Sequence, residues 1–235
     1  MLRFECDYLE GADERVLAAL CDTNRMQTVG YGVDELCEHT RALIRELCGA
    51  PEAGVHFFVG GTQVNTITIA AALRPYEGVL CAATGHINVH ETGAVEATGH
   101  KVLALPCEDG KITARQVRDA WDAHIGDGTH EHMVRPAMVY ISQPTELGTL
   151  YTRGELEEMF AAAQACGLKL FIDGARLGYA LAADSTIDLA FLTAHSDAFT
   201  IGGTKCGAMF GEALVLRKPA DWPNFRYPIK QRGAM

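Results

Sequence analysis

The feature that most constrains this chain is an alternation. Short apolar runs rich in β-branched and aromatic residues, at 55–59, 78–83, 101–106, 136–142, 168–173 and 198–201, are separated by turn residues and by stretches with helical spacing. A strand followed by a helix and another strand reads as a parallel crossover, and repeated crossovers put helices on both faces of one sheet. The expected fold class is therefore α/β, a three-layer αβα sandwich around a mostly parallel sheet. With 235 residues, 48% of them hydrophobic, the chain has material for one large domain of this kind.

The helical stretches carry their own stop and start signals. Asp34 is placed to cap a helix whose apolar positions Leu36, Cys37, Thr40, Leu43, Ile44 and Leu47 recur at three and four, and Gly49 ends it. Thr113 caps a helix through Val117 and Trp121, and Thr152 with Glu155 forms a capping box for a helix closed by Gly167. A further helix is expected over 177–183, an acidic first turn at Asp13 and Glu14 opens one near the start, and 2–9 reads as irregular or strand-like. The polar stretch 125–135 reads as a surface loop.

Charge and cysteine content exclude several functions. A net charge of -10 disfavours a nucleic-acid partner or an anionic membrane surface, and no apolar run is long enough to span a bilayer. The chain reads as cytoplasmic. Its eight cysteines form no C-x-x-C pair and read as reduced core thiols. His86, His90 and Glu91, and separately His130-Glu131-His132, invite a metal reading, which is disfavoured because neither group shows a complete ligand set on regular structure.

Polar residues collect where strands end. Gly60-Gly61-Thr62-Gln63-Val64-Asn65 joins a strand to an apolar helix, and glycine at a helix N-terminus lets a phosphate approach unpaired N–H groups; the same turn could merely redirect the chain, with Gln63 or Asn65 as helix cap. His86 follows the next strand, where a flat ring could stack on a planar heterocycle. Asp173 ends the fifth strand and is followed by Gly174-Ala175-Arg176; it either faces the ligand crevice or pairs with Arg176 to fix the turn. Lys205 lies in Gly202-Gly203-Thr204-Lys205-Cys206-Gly207, where small and apolar neighbours favour a pocket poor in water. Burial disfavours an ammonium, and the neutral amine is a nucleophile that can bond an aldehyde such as pyridoxal phosphate.

Taken together, Gly61-Thr62-Gln63, His86, Asp173-Gly174-Ala175-Arg176 and Thr204-Lys205 within glycines resemble threonine aldolase, of the β-eliminating lyase group of pyridoxal phosphate enzymes with the aspartate aminotransferase type of fold. The resemblance covers the whole chain. It implies that Lys205 bonds the cofactor's aldehyde, Asp173 pairs with the pyridine nitrogen, Arg176 approaches the phenolic oxygen, His86 stacks on the ring, and Gly61, Thr62 and Gln63 hold the phosphate beside Thr204. It further implies that Tyr31 reaches a neighbouring subunit's site in a homo-oligomer, dimer or tetramer, and that Lys230 approaches the phosphate. The implied substrate is a small amino acid, cleaved to glycine and an aldehyde. Alternatives are another lyase or an aminotransferase on the same cofactor, an inactive cofactor-binding module, or a nucleotide-binding domain. In two places the chain departs from the family. Glu146 stands where members carry a histidine near the substrate hydroxyl, which makes it the candidate for proton handling there. The sequence also ends at Met235, so 1–235 reads as an N-terminal segment plus the cofactor-binding large domain, without a smaller C-terminal domain.

Overall fold

The computed structural model describes residues 2–235. Seven strands form one sheet: β1 (Gly54–Phe58), β2 (Glu77–Ala82), β3 (Lys101–Leu105), β4 (Arg135–Ser142), β5 (Lys169–Asp173), β6 (Ala198–Gly202) and β7 (Glu212–Leu216). Their order across the sheet is β1-β7-β6-β5-β4-β2-β3. Pairing is parallel from β3 through β6, whereas β7 runs antiparallel to both β6 and β1. The expected mostly parallel sheet is present, with one antiparallel strand that the βα alternation does not announce. Only the residues between Gly202 and Glu212 join β6 to β7, too few for a crossover helix, so β7 returns alongside its neighbour in the opposite direction.

Nine helices accompany the strands, counted among the described residues: α1 (Glu14–Thr23) and α2 (Glu35–Leu47) before β1, then α3 (Gly61–Ala72), α4 (His86–Val89), α5 (Ala114–Gly126), α6 (Arg153–Ala165), α7 (Leu177–Ala183) and α8 (Leu189–Ala194) between strands, and α9 (Arg226–Gln231) after β7. The caps act as read. The Asp34 carboxylate accepts from the Cys37 N–H at 2.9 Å, and Thr113 with Gln116 and Thr152 with Glu155 form reciprocal capping boxes. Gly167 takes φ 66° after α6. The 125–135 stretch contains the end of α5 and a short 3₁₀ turn at His130–His132.

Strand residues alternate between two cores. Val139, Ile141, Leu170 and Ile172 face one layer with Leu156 and Phe191, while Met138, Tyr140 and Phe171 face the other with Val64 and Ile67. Because both faces are covered, β2 and β7 are buried at every position, which is why the β2 stretch reads as an apolar run rather than as an alternating one; the β7 stretch is not among the strands expected from sequence. This framework fixes the strand ends, and the loops that leave those ends carry the polar residues.

Candidate active site

Beyond the C-terminal ends of β2, β4, β5 and β6 lies a cleft of about 360 Å³ whose lining includes Lys205, Asp173, His86, Glu146, Arg176 and Gly61. Thr62 and Thr204 also line it. Open α/β sheets receive ligands at this edge.

Asp173 is 6% exposed, and its last acceptor capacity opens on the cleft. Its Oδ1 accepts from the Ala175 N–H at 2.9 Å, and its Oδ2 accepts from the Tyr140 hydroxyl at 2.5 Å and from Asn65 Nδ2 at 2.9 Å. Three donors thus hold a carboxylate that offers about four acceptor sites, leaving one for a ligand N–H. Arg176 does not form the turn-fixing pair with Asp173 that the sequence left open. Its guanidinium instead grips Asp7 of the N-terminal lead, through Nε and through Nη2 at 3.1 Å, and holds the Asp7 carboxyl below the ordinary range.

Lys205 follows the Gly202-Gly203 turn. Its Nζ lies 5.5 Å from the centre of the Tyr8 ring, and its backbone carbonyl accepts from the Tyr179 hydroxyl at 3.0 Å. His86 opens α4 at the end of β2. Its Nδ1 lies 2.8 Å from Glu91 Oε1, and since a carboxylate accepts, Nδ1 carries the hydrogen. The bond to Glu91 raises the His86 pKa against the opposing effect of burial. Glu146 Oε1 accepts from the Ser142 hydroxyl at 2.6 Å and from the His86 backbone N–H at 3.0 Å.

The first turn of α3 behaves as read: the backbone N–H groups of Gly61, Thr62 and Gln63 have no hydrogen-bond acceptor among the described residues, and a side chain at Gly60 or Gly61 would meet only open space. The helix is capped by Gly60, not by Gln63 or Asn65. The Gln63 side chain turns back to accept from the Val59 N–H at 3.4 Å, so only its backbone faces the turn. Asn65 points inward instead, to Glu91 and Asp173. Tyr31 and Lys230 are absent from the cleft lining. They meet each other, Lys230 Nζ lying 4.6 Å from the Tyr31 ring centre, in and beside a separate hollow around Arg41, His56 and Phe58. Within one chain neither of them reaches the cleft.

Tyr140, Asn65, Glu91, Tyr8 and Glu212 were not singled out for this site from the sequence. A tyrosine in the middle of an apolar strand and a carboxylate opening β7 were the available signals. Glu212 is 6% exposed and accepts from the Thr204 hydroxyl at 3.0 Å. Burial pushes its pKa up to about 7, with the charge of Asp173 adding and Lys205 opposing.

The groups fit an aldehyde-bearing, nitrogen-heterocyclic phosphate: an amine and a carboxylate on one cleft, a flat ring beside them, and unpaired N–H groups over open glycines. The class these features define is the pyridoxal phosphate-dependent α/β enzyme, and a cystalysin structure from Treponema denticola that contains this cofactor shares the fold at 10% identity, covering 95% of this chain and 58% of that one with a TM-score of 0.70. The chain belongs to the beta-eliminating lyase family, whose model matches residues 14–233. It is 32% identical to a low specificity L-threonine aldolase of Pseudomonas aeruginosa, over 99% of this chain and 67% of that protein. The solved threonine aldolase of Leishmania major is 47% identical, with a TM-score of 0.92 over 97% of this chain and 66% of that one. The chain spans about two thirds of the length of these relatives.

The raised Glu212 gives a signed prediction for the cofactor-free protein. Between the ordinary carboxyl value and about 7 the folded chain holds a proton that the unfolded chain releases, so stability falls as pH rises through that window. Glu212→Gln removes this decline, worth roughly 2 kcal/mol after allowing for solvent in the cleft. Urea unfolding at pH 5 and at pH 7.5 should show the variant gaining on the parent at the higher pH; equal differences at both values would disprove it.

Proposed function

We propose that this chain is the cofactor-binding part of an aldolase that cleaves a β-hydroxy-α-amino acid, threonine or allo-threonine, to glycine and an aldehyde. The observation that carries the reading is that Lys205 and Asp173 line one cleft of suitable size, in a member of the beta-eliminating lyase family. The names of the relatives from P. aeruginosa and L. major support the substrate class. Residues 1–235 are read as the N-terminal segment and the large domain.

Bound in this cleft, pyridoxal phosphate supplies a ring that accepts the electron pair left on Cα when the Cα–Cβ bond breaks. Lys205 is assigned to hold the cofactor's aldehyde carbon and Asp173 its ring nitrogen. His86 is assigned to the ring face, the Gly61 to Gln63 backbone and the Thr62 and Thr204 hydroxyls to the phosphate, and Arg176 to the anionic edge. Glu146 is assigned the proton of the substrate hydroxyl. Both of its hydrogen bonds use Oε1, so Oε2 is available to accept, whereas the His86 Nδ1 hydrogen is committed to Glu91.

We further read the protein as cytoplasmic and as a homo-oligomer. No helix among the described residues is long and apolar enough to cross a membrane. Helix α1 buries none of its residues and leaves Leu17 and Leu20 exposed, which supports a second subunit covering it.

Product analysis tests the reading. The protein incubated with pyridoxal phosphate and threonine is expected to release glycine and acetaldehyde in equal amounts. Ammonia with a keto acid would indicate another lyase, a keto acid without ammonia an aminotransferase, and no product from either threonine or allo-threonine would overturn the assignment.

A further inference from the structure

We propose that Glu91 is a positioning residue for His86, and that Asn65 ties this pair to Asp173 so that the groups at the two ends of the chain hold one another in register. The catalytic consequence rests on the cofactor reading above; the arrangement itself does not.

The links are continuous. His86 Nδ1 donates to Glu91 Oε1 at 2.8 Å, Asn65 Nδ2 donates to the same oxygen at 2.7 Å and to Asp173 Oδ2 at 2.9 Å, and Tyr140 closes the chain on Asp173. Both hydrogens of the Asn65 amide are thereby used, one on each carboxylate. These groups add a polar tie between α3, the segment just after α4, and the paired strands β4 and β5. A single amide donating to two carboxylates leaves little freedom to either.

Burial says what the unit must carry. The Glu91 side chain has no exposure, and its Oε2 has no hydrogen-bond partner among the described residues. A buried carboxyl group needs hydrogen-bond partners, and those of Glu91 all reach it through Oε1. The donors that compensate it are His86 Nδ1–H and the Asn65 amide; His86 lies between Glu91 on its Nδ1 side, Asp173 and Lys205 across the cleft, and the His90 ring at 5.6 Å. Removal of Glu91 would leave the His86 Nδ1–H and one Asn65 N–H without their acceptor.

The backbone shows the same demand. Immediately after Glu91 the chain passes through Thr92 at φ 54° and Gly93 at φ 71°. The left-handed region is costly for a β-branched threonine, and such strain persists only where surrounding contacts enforce it. Here the bend turns the chain just beyond α4 so that Glu91 points under His86 rather than into solvent.

The test uses the cofactor-loaded protein and reads His86 itself. By ¹⁵N NMR of the imidazoles, wild-type His86 is expected to titrate above an ordinary histidine, and in Glu91→Gln to fall back toward or below that value with the fold unchanged in thermal melting. Turnover of Glu91→Gln is expected to drop about 10- to 100-fold, the size of effect known for carboxylates that orient a metal-binding histidine. In a His86→Phe background, which keeps a flat ring but no N–H, the same substitution should change turnover less than about twofold, because coupled residues lose their separate effects. An ordinary titration of wild-type His86, or an equal loss in both backgrounds, would overturn the proposal. The NMR reading decides it even if the protein cleaves no amino acid, so the two readings fail separately.

Discussion

Lys205→Ala is expected to abolish covalent retention of pyridoxal phosphate and to reduce turnover on the order of 10³-fold, within the range for removing a positioned proton-transfer group. Little else should change. The Lys205 ammonium lies 5.5 Å from the Tyr8 ring, a contact worth about 0.5–1 kcal/mol at a site open to solvent, and faces Asp7 and Glu212 only across the cleft, while the Tyr179 bond goes to the backbone, which the substitution keeps. For a chain of this size such a loss moves Tm by about 2–4 °C at most. Borohydride reduction followed by intact-mass measurement checks the covalent link directly: the parent protein should gain a pyridoxyl group and the variant should not. A reduced adduct on the Lys205→Ala chain would show that another amine holds the cofactor, and the assignment of Lys205 would be lost. The same would follow if the adduct were absent from the parent.

The residues that could be read from sequence are those whose chemistry coincides with a local signal. Lys205 and Asp173 each sit where an apolar run gives way to glycine, so strand, turn and functional group are encoded within a few positions. The capping boxes at Thr113 and Thr152 are local in the same sense. What could not be read depends on distant partners. Asn65 lies 108 residues from Asp173 and 75 from Tyr140, and from its neighbours alone it reads only as a local helix cap. Arg176 and Asp7 are 169 residues apart, which is why the nearer Asp173 was the natural partner to weigh. The place of β1 at the sheet edge beside β7 is likewise set by a long-range pairing. Glu91 illustrates a polar residue whose role depends on distant partners: beside two histidines it invites a metal reading, which the sequence disfavours, and its carboxylate accepts from the His86 imidazole and from the Asn65 amide 26 residues away.

Gly174→Ala is expected to destabilise the protein by about 3 kcal/mol or more, the largest stability effect anticipated for one added methyl. The reason lies in how the Asp173 turn meets the loop that carries Lys205. Gly174 N–H donates to the Thr200 hydroxyl at 2.7 Å and its carbonyl accepts from Gly202 N–H at 2.9 Å, so the two backbones are pressed together just beyond β5 and β6. A Cβ on Gly174 would fall 2.0 Å from the Thr200 carbonyl oxygen and 2.9 Å from Leu177 Cβ; one on Gly202 would fall 2.4 Å from the Ala175 carbonyl oxygen. Neither clash can be relieved by rotating a side chain, because the atoms met first are backbone. Glycine is required at both positions for closeness, and that closeness sets the spacing between the carboxylate and the amine. Gly154→Ala supplies the control. It sits in the first turn of α6 with nothing within 4 Å of the added carbon, and alanine there should be neutral or stabilising by up to about 1 kcal/mol. Urea unfolding of the two variants compares them directly. Where Gly174→Ala still folds, its cofactor should bind more weakly than in the parent, since a shifted Asp173 turn moves the ring-nitrogen partner away from Lys205. A Gly174→Ala protein as stable as Gly154→Ala would mean that the two strand ends are not in contact, and the spacing argument for the site would fall with it.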